Sequence, residues 1–405
     1  MNGSMPIRDF LPLRDPANPL HPPKEVFRWR EESRINKVRT WDGTEAWLLT
    51  RYEDVKQALG DERFSANPRR PGFPEKNAAY AANLGTDHNV RTMDNPEHGI
   101  QKAMLARDFT VGRLQEMRPA IEAKTHKLID DMLAHGGPLD FVPHFALALP
   151  VEVMCELLGV PVDDREYFAG LSNEATGNAE SSEKSAEAGR KLNEYIDGLL
   201  DVKDKEPEND LLSRLVVNQL RTGALSRADI ISLGRLMLIA GHETTAHQIT
   251  HSTLMMFLYP EQRKELQETD DPRLIRNAVE EFLRFASITH NGRRRVATED
   301  VEVGGQLIRA GEGVIVMTNM ADRDETVFEE PNKLDIHRHN ARQHMAFGFG
   351  IHQCMGQLLS RVELQIVHSI LWKRMPNLQL NGGVEDLGYI ENTSVLGIKT
   401  LPVAF

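Results

Sequence analysis

The sequence predicts a mainly α protein with a smaller β-rich lobe, and three observations carry that reading. From Glu97 to Leu258 apolar residues recur mostly at three- and four-residue spacing, the period of one helix face. One uninterrupted span inside that stretch, from Ser226 to Pro260, is far longer than an ordinary helix. Alternating apolar patterns bounded by glycine turns are confined to the segment around Asp42 and to the stretch after Arg284.

The chain has 405 residues, 40% of them hydrophobic and 27% charged, which is enough apolar material for a large core. Length alone suggests two or three domains, yet no linker divides the sequence, and a single domain over 1–405 is expected. Met1 to Ser4 reads as an expression scar ahead of a start at Met5. A net charge of −12 argues against nucleic acid as a partner. Two cysteines, Cys155 and Cys354, are too few for a disulfide framework and suit a reducing cytoplasm. No apolar run of about 18 residues is present, so no membrane span is expected.

The proline-rich first forty residues contain a charged segment, Pro23 to Asn36, that reads as a helix with proline at its start. Asp42-Gly43 between apolar-rich runs signals a hairpin, and a short helix is expected near Tyr52 to Leu59. From Phe64 to Asn89 Pro68, Pro71, Gly72 and Pro74 break the pattern into an irregular loop. Helices are expected near 97–107, 113–135, 150–158, 182–203 and 209–221. The polar tract 173–191 reads as a mobile connection leading into a surface helix. Ser226 with Asp229 has capping-box spacing, and a helix from Arg227 to Leu258 is roughly 48 Å long at 1.5 Å per residue. After Arg284, VATEDVEVGGQLIRAGEGVIVM predicts strands, with Gly304-Gly305 and Gly311 at turns.

Chemistry concentrates in Phe347 to Gly356, FGFGIHQCMG, with helical sequence straight afterwards. This is a tight loop that presents the sulfur of Cys354 to a metal. The helix N-terminus behind it favours the thiolate, because free N–H groups and the helix dipole stabilise negative charge there. Gly348 and Gly350 permit turns closed to residues with a Cβ. Gly356 leaves room beside a flat cofactor, and Phe347 shields the sulfur from water. The ten residues resemble the haem-binding loop of the cytochrome P-450 superfamily, FGxGxHxCxG, at every fixed position. The resemblance implies the cytochrome P-450 fold, a helix-rich haem domain with a smaller β-rich lobe. It also implies haem b (iron protoporphyrin IX) ligated by Cys354, and a monooxygenase that inserts one atom of O2 into a small organic substrate.

AGHETT, Ala240 to Thr245, lies in the middle of the long helix. Gly and paired Thr are poor helix formers, and local propensity gives way at functional sites. The motif resembles the distal-helix signature of the same superfamily. Reducing dioxygen to water consumes protons, so the resemblance makes Thr244 a hydroxyl that holds water and Glu243 the general acid. Ala240 and Gly241 border the cofactor, with Gly241 permitting a local widening of the helix.

Glu281 and Arg284, three apart, share a helix face. They resemble the family's structural ExxR pair, with Arg338 as third partner and a role in holding the cysteine loop. Two haem propionates need cations. The resemblance nominates His98 and Lys102, with lysine standing where arginine is usual, together with His352 and Arg295; Arg293 and Arg294 leave the last choice open by a residue or two. Asp322 stands where asparagine is frequent, and Ile100 where arginine is. Cys155 reads as core packing, and His242, His247 and His251 as surface or core histidines with no second metal.

The chain has no flavin or iron–sulfur module, so electrons are expected from a separate ferredoxin and ferredoxin reductase, docking on a basic patch of Lys102, Arg107, Arg113 and Arg342. A cytoplasmic monomer is expected. The resemblance leaves alternatives: an NADH-dependent haem-thiolate nitric oxide reductase, an oxygen-independent haem isomerase or dehydratase, and a haem-binding sensor. Candidate substrate-lining positions are Tyr80 to Val90, Ile239, Ala240, Ser287 to Asn291 and Ser394 to Leu396.

Overall fold

The computed structural model describes residues 7–10, 18, 20–77, 81, 89–175, 182–390 and 395–405. Two compact units arise: Met1–Ile100, His251–Gln357 and Gly382–Ile398 form one, and Gln101–Thr250, Leu358–Asn381 and Lys399–Phe405 the other. No helix among the described residues is long and apolar enough to cross a membrane.

The first unit is built on a six-stranded sheet. Ile35–Arg39 and Glu45–Leu49 pair antiparallel around Asp42-Gly43, as the sequence predicts. Asp42 makes the turn by accepting from the Thr40 hydroxyl at 2.6 Å and the Thr44 amide at 3.0 Å. Gly313–Val316 runs parallel to Glu45–Leu49 and antiparallel to Arg293–Ala297, with Phe64–Ser65 at one edge and Ile7–Asp9 at the other. Strand alternation sends Val38, Leu48 and Ile315 to one face, where Val26 and Trp29 of the helix Lys24–Glu32 cover them. Leu49, Val314 and Val316 go to the other face, against Tyr52, Val55 and Leu59 of the helix Tyr52–Gly60. Each aliphatic side chain fully buried this way contributes about 1.5–3 kcal/mol.

The first helix stops sooner than expected. It spans Lys24–Glu32, and Ser33 is already extended, because the apolar period switches to two at Ile35 and the sheet claims that strand. The helix Pro272–Phe285 begins where Asp271 accepts from the Arg273 amide at 2.8 Å.

The second unit is mainly helical. The span Arg227–Leu258 is a helix of 32 residues. Its start is fixed by the predicted box: the Ser226 amide donates to Asp229 Oδ2 at 2.9 Å, and the Asp229 amide to Ser226 Oγ at 3.2 Å. Helices Val111–His135 and Ala148–Leu158 match their expected positions. The helix Ser182–Lys205 forms where 182–203 is expected and takes up the end of the polar tract 173–191. The segment expected as one helix over 209–221 is a short helix, Leu211–Leu215, followed by a wider turn, Val216–Leu220. Glu97–Leu105 is helical and tightens into a 3₁₀ turn over Ala106–Phe109. A three-stranded sheet of Gln379–Leu380, Pro402–Ala404 and Leu139–Asp140 completes this unit.

Candidate functional site

The cysteine loop belongs to the first unit. Its amides close it on itself: Gly348 donates to Met345 O at 2.8 Å, Gln353 to Gly350 O at 3.0 Å, and Cys354 to Phe347 O at 2.9 Å. Gly348 and Gly350 sit at φ +76° and +74°, a region that disfavours side chains. At Gly350 a Cβ would also stand 2.2 Å from the carbonyl oxygen of Leu59, so the loop packs directly on the helix Tyr52–Gly60. Cys354 is exposed at the tip, Phe347 is half-buried, and the helix Gln357–Arg374 starts three residues on. Cys155 is a different thiol: it lies in the core, where burial pushes its pKa up to about 12.

Cations gather on the same unit. His98 and His352 approach with ring centroids 4.4 Å apart. Arg295 and His352 line one cavity of about 170 Å³. Arg295, buried, has its pKa lowered to about 10, by desolvation first and by the Arg293 charge second. Arg293 lies on the same strand face two residues earlier. Its guanidinium carbon is 3.3 Å from where a Cβ on Gly348 would sit, and it donates to Ala346 O at 3.3 Å. Its Nε is shut off from solvent with no acceptor among the described residues. Lys76, which sequence reasoning missed, joins this field; desolvation first, then Arg91, Arg294 and Arg293, lowers its pKa to about 7.

The exposed thiol and, on the same unit, Arg293, Arg295, His98 and His352 are a donor set that fits a flat metal cofactor carrying carboxylates on one edge. Asp61, Glu62 and Asp94 nevertheless share the cavity that Arg295 and His352 line. Cys354 would hold the iron of haem, and Arg295 and His352 would take its propionates. Within the basic tract, Arg293 and Arg295 share one strand face, whereas Arg294 points to the opposite face and lies over the Phe10 ring.

The ion-pair trio forms as expected. Arg284 donates to Glu281 from Nε and Nη2 at 2.7 Å each, with both side chains fully buried. Its remaining hydrogens reach the carbonyls of Asp322 at 2.8 Å, Pro331 at 2.9 Å and Lys333 at 3.2 Å. Arg338 adds a contact to Glu281 at 3.2 Å and donates to Glu329 O at 2.6 Å. The trio therefore pins residues 322–338, the approach to the cysteine loop. A second tether was not foreseen. Glu280 pairs with His344 at 3.0 Å, and His344 Nδ1 accepts from the Ala346 amide at 3.1 Å. A histidine three residues ahead of Phe347 and a second acid beside Glu281 were the available signals. Asp322 accepts from the Met345 amide at 2.6 Å, and burial raises its pKa to about 6.

In the second unit, Ala240, Gly241, Glu243 and Thr244 lie along the long helix. The expected widening at Gly241 is corrected: the helix stays α-helical across 240–245. The glycine instead makes room for a neighbour, since a Cβ there would meet the Met154 sulfur at 2.3 Å. Thr244 Oγ1 donates to Ala240 O at 2.7 Å, one turn back. Glu243 Oε1 is 3.7 Å from His247 Nε2. His242, His247 and His251 are all buried. Lys102, also in this unit, is half-buried on Glu97–Leu105.

Of the proposed lining positions, the Leu396 amide donates to Ile288 O at 2.7 Å and so joins two of the segments. Residues 80, 82–88 and 394 lie outside the described set.

Residues 179–374 match the family model for Cytochrome P450. Cytochrome P450 GfsF of Streptomyces halstedii is 39% identical over 97% of this chain and 95% of its own. The crystal structure of GfsF superposes with a TM-score of 0.94, covering 98% of this chain and 100% of that one. Vitamin D3 dihydroxylase of Streptomyces griseolus is 40% identical over 98% of this chain and 93% of its own length. The 20-oxo-5-O-mycaminosyltylactone 23-monooxygenase of Streptomyces fradiae is 38% identical, covering 96% and 90%. Likeness sustained at this level from end to end is the product of common descent, and the chain belongs to the cytochrome P450 family as a haem b monooxygenase.

Proposed function

We propose that this monooxygenase works as a monomeric, cytoplasmic single haem domain supplied with electrons by a separate ferredoxin and its reductase. The observation that carries the reading is the cysteine inventory: the chain has two, Cys354 serves the haem, and Cys155 is a core thiol held protonated. An iron–sulfur cluster needs several thiolates, more than these 405 residues supply, which supports a relay on a separate protein. Haem b supplies the oxidation itself, placing one oxygen atom in the organic substrate while the other leaves as water.

The chain's own residues take the remaining tasks. Cys354 ligates iron, framed by Phe347, Gly348 and Gly356. Arg295, His352, His98 and Lys102 neutralise the propionates. Thr244 holds water, Glu243 gives protons, and Ala240 and Gly241 border the cofactor. Ser287 to Asn291 and Leu396 contact the substrate, for which the dihydroxylase and 23-monooxygenase relatives suggest hydroxylation of an organic carbon. The donor meets Lys102, Arg107, Arg113 and Arg342, of which Arg107 and Arg342 are exposed while Arg113 is paired with Glu116.

Reconstitution tests this. Substrate oxidation is expected with NADH or NADPH only when ferredoxin and reductase are both added, and charge reversal at Arg107 and Arg342 should slow it. NADH consumption with nitric oxide and no reductase would replace the reading with a nitric oxide reductase. Cys354→Ser should abolish the thiolate signature of the reduced carbonyl spectrum.

A further inference from the structure

A general acid that gives up its proton once per turnover has to be recharged. Where water has poor access, recharging needs a second titratable group within reach. The long helix supplies one. Glu243 and His247 are four residues apart and so lie one above the other on one helix face. Glu243 Oε1 stands 3.7 Å from His247 Nε2, and the two side chains are only 15% and 9% exposed. Imidazole suits the task, since it can take up a proton and hand it on. The neighbouring His242 does not: its Nδ1 is 2.8 Å from Leu238 O and its Nε2 3.4 Å from the Ser172 hydroxyl. Both of its ring nitrogens thus face groups that do not titrate in this range. The Thr244 hydroxyl is turned to Ala240 O.

We propose that His247 recharges Glu243, acting through it as a relay and positioning residue. The inference rests on the reading of Glu243 as proton donor. Glu243 releases its carboxyl proton inward and becomes a carboxylate. The His247 imidazolium then passes its Nε2 proton to Oε1, and the neutral ring, still protonated on Nδ1, takes a proton from water at Nε2 once the Glu243 carboxyl has turned away. No electron moves, and each proton sent inward is replaced by one from solvent. The 3.7 Å gap is longer than a hydrogen bond. Rotation about the Glu243 side-chain bonds closes it without moving the helix.

Four variants of the haem-loaded protein test the relay: Glu243→Gln, His247→Phe, His247→Gln, and Glu243→Gln with His247→Gln. The readouts are turnover, peroxide released per oxygen consumed, and the solvent deuterium isotope effect, with the reduced carbonyl spectrum as control for an intact site. Glu243→Gln should slow turnover by at least about tenfold and enlarge the isotope effect. An unchanged rate there rejects the role of Glu243 and the relay with it. With that role upheld, both His247 variants should slow turnover about tenfold and raise the isotope effect, and the double variant should be no slower than Glu243→Gln alone. Glutamine keeps a hydrogen-bonding group but does not take up and release a proton, so full turnover by His247→Gln means that His247 only orients Glu243, which overturns the relay. Fully additive losses in the double variant overturn it as well. Should phenylalanine disturb the spectrum, the glutamine variant decides.

Discussion

Asp322→Asn isolates what a buried acid costs this fold. Asp322 is fully buried; Oδ1 accepts from the Met345 amide at 2.6 Å, and Oδ2 has no partner among the described residues. Burial raises its pKa from 3.8 to about 6, against the smaller downward pull of His344, the Met345 hydrogen bond, Arg284 and Arg323. The folded-state value of an acid is thus raised, so between pH 3.8 and about 6 the folded protein binds more protons than the unfolded chain. Stability must then fall as pH rises through that window, and above it the whole cost applies, about 3 kcal/mol at 1.36 kcal/mol per pH unit. Asparagine keeps an oxygen for Met345 and removes the charge, but its new N–H₂ group meets no acceptor and costs about 1–3 kcal/mol. Asn should therefore stabilise the protein by about 1 kcal/mol at pH 7.5 and destabilise it by about 2 kcal/mol well below pH 4. Unfolding entropy of about 2.1 cal/mol/K per residue makes 1 kcal/mol worth about 1 °C for a chain this long. Urea midpoints of both proteins, followed by circular dichroism from pH 4 to 7.5, give the difference directly. Parallel pH profiles for the two proteins would refute the reasoning.

Two further outcomes follow from the site. Glu281→Gln leaves Arg284 and Arg338 buried without their shared counter-charge and should cost about 3–5 kcal/mol, read as a lower urea midpoint; a loss under 1 kcal/mol would mean that the trio does not hold the 322–338 segment. Gly350→Ala places a Cβ 2.2 Å from Leu59 O at a positive φ. It should lower the haem-to-protein ratio while helical circular dichroism stays unchanged, and full haem retention would speak against the loop resting on that helix.

Much of this was legible in the sequence because the informative signals are local. Asp42-Gly43 fixes its hairpin through its own side chain, and Ser226 with Asp229 caps the long helix by contacts three residues apart. FGFGIHQCMG likewise encodes its loop in adjacent glycines. What escaped depends on partners distant in the chain. Nothing near Gly241 reveals that the Met154 sulfur claims its missing side chain. The Glu280–His344 tether joins residues 64 apart. Strands of two or three residues, such as Leu139–Asp140 and Gln379–Leu380, are too short to show a period.

Arg284 has a consequence for what this position tolerates. Its five N–H bonds meet five acceptors, two oxygens of Glu281 and the carbonyls of Asp322, Pro331 and Lys333. Lysine brings the same charge but three hydrogens on a single nitrogen. Pro331 O and Lys333 O would be left to their second donors, Arg323 and Arg338, and no rearrangement of an ammonium spans the breadth of a planar fork. Substitution here is therefore a problem of valence: the site demands a particular number of hydrogens in a particular plane, and among the twenty side chains arginine alone carries them.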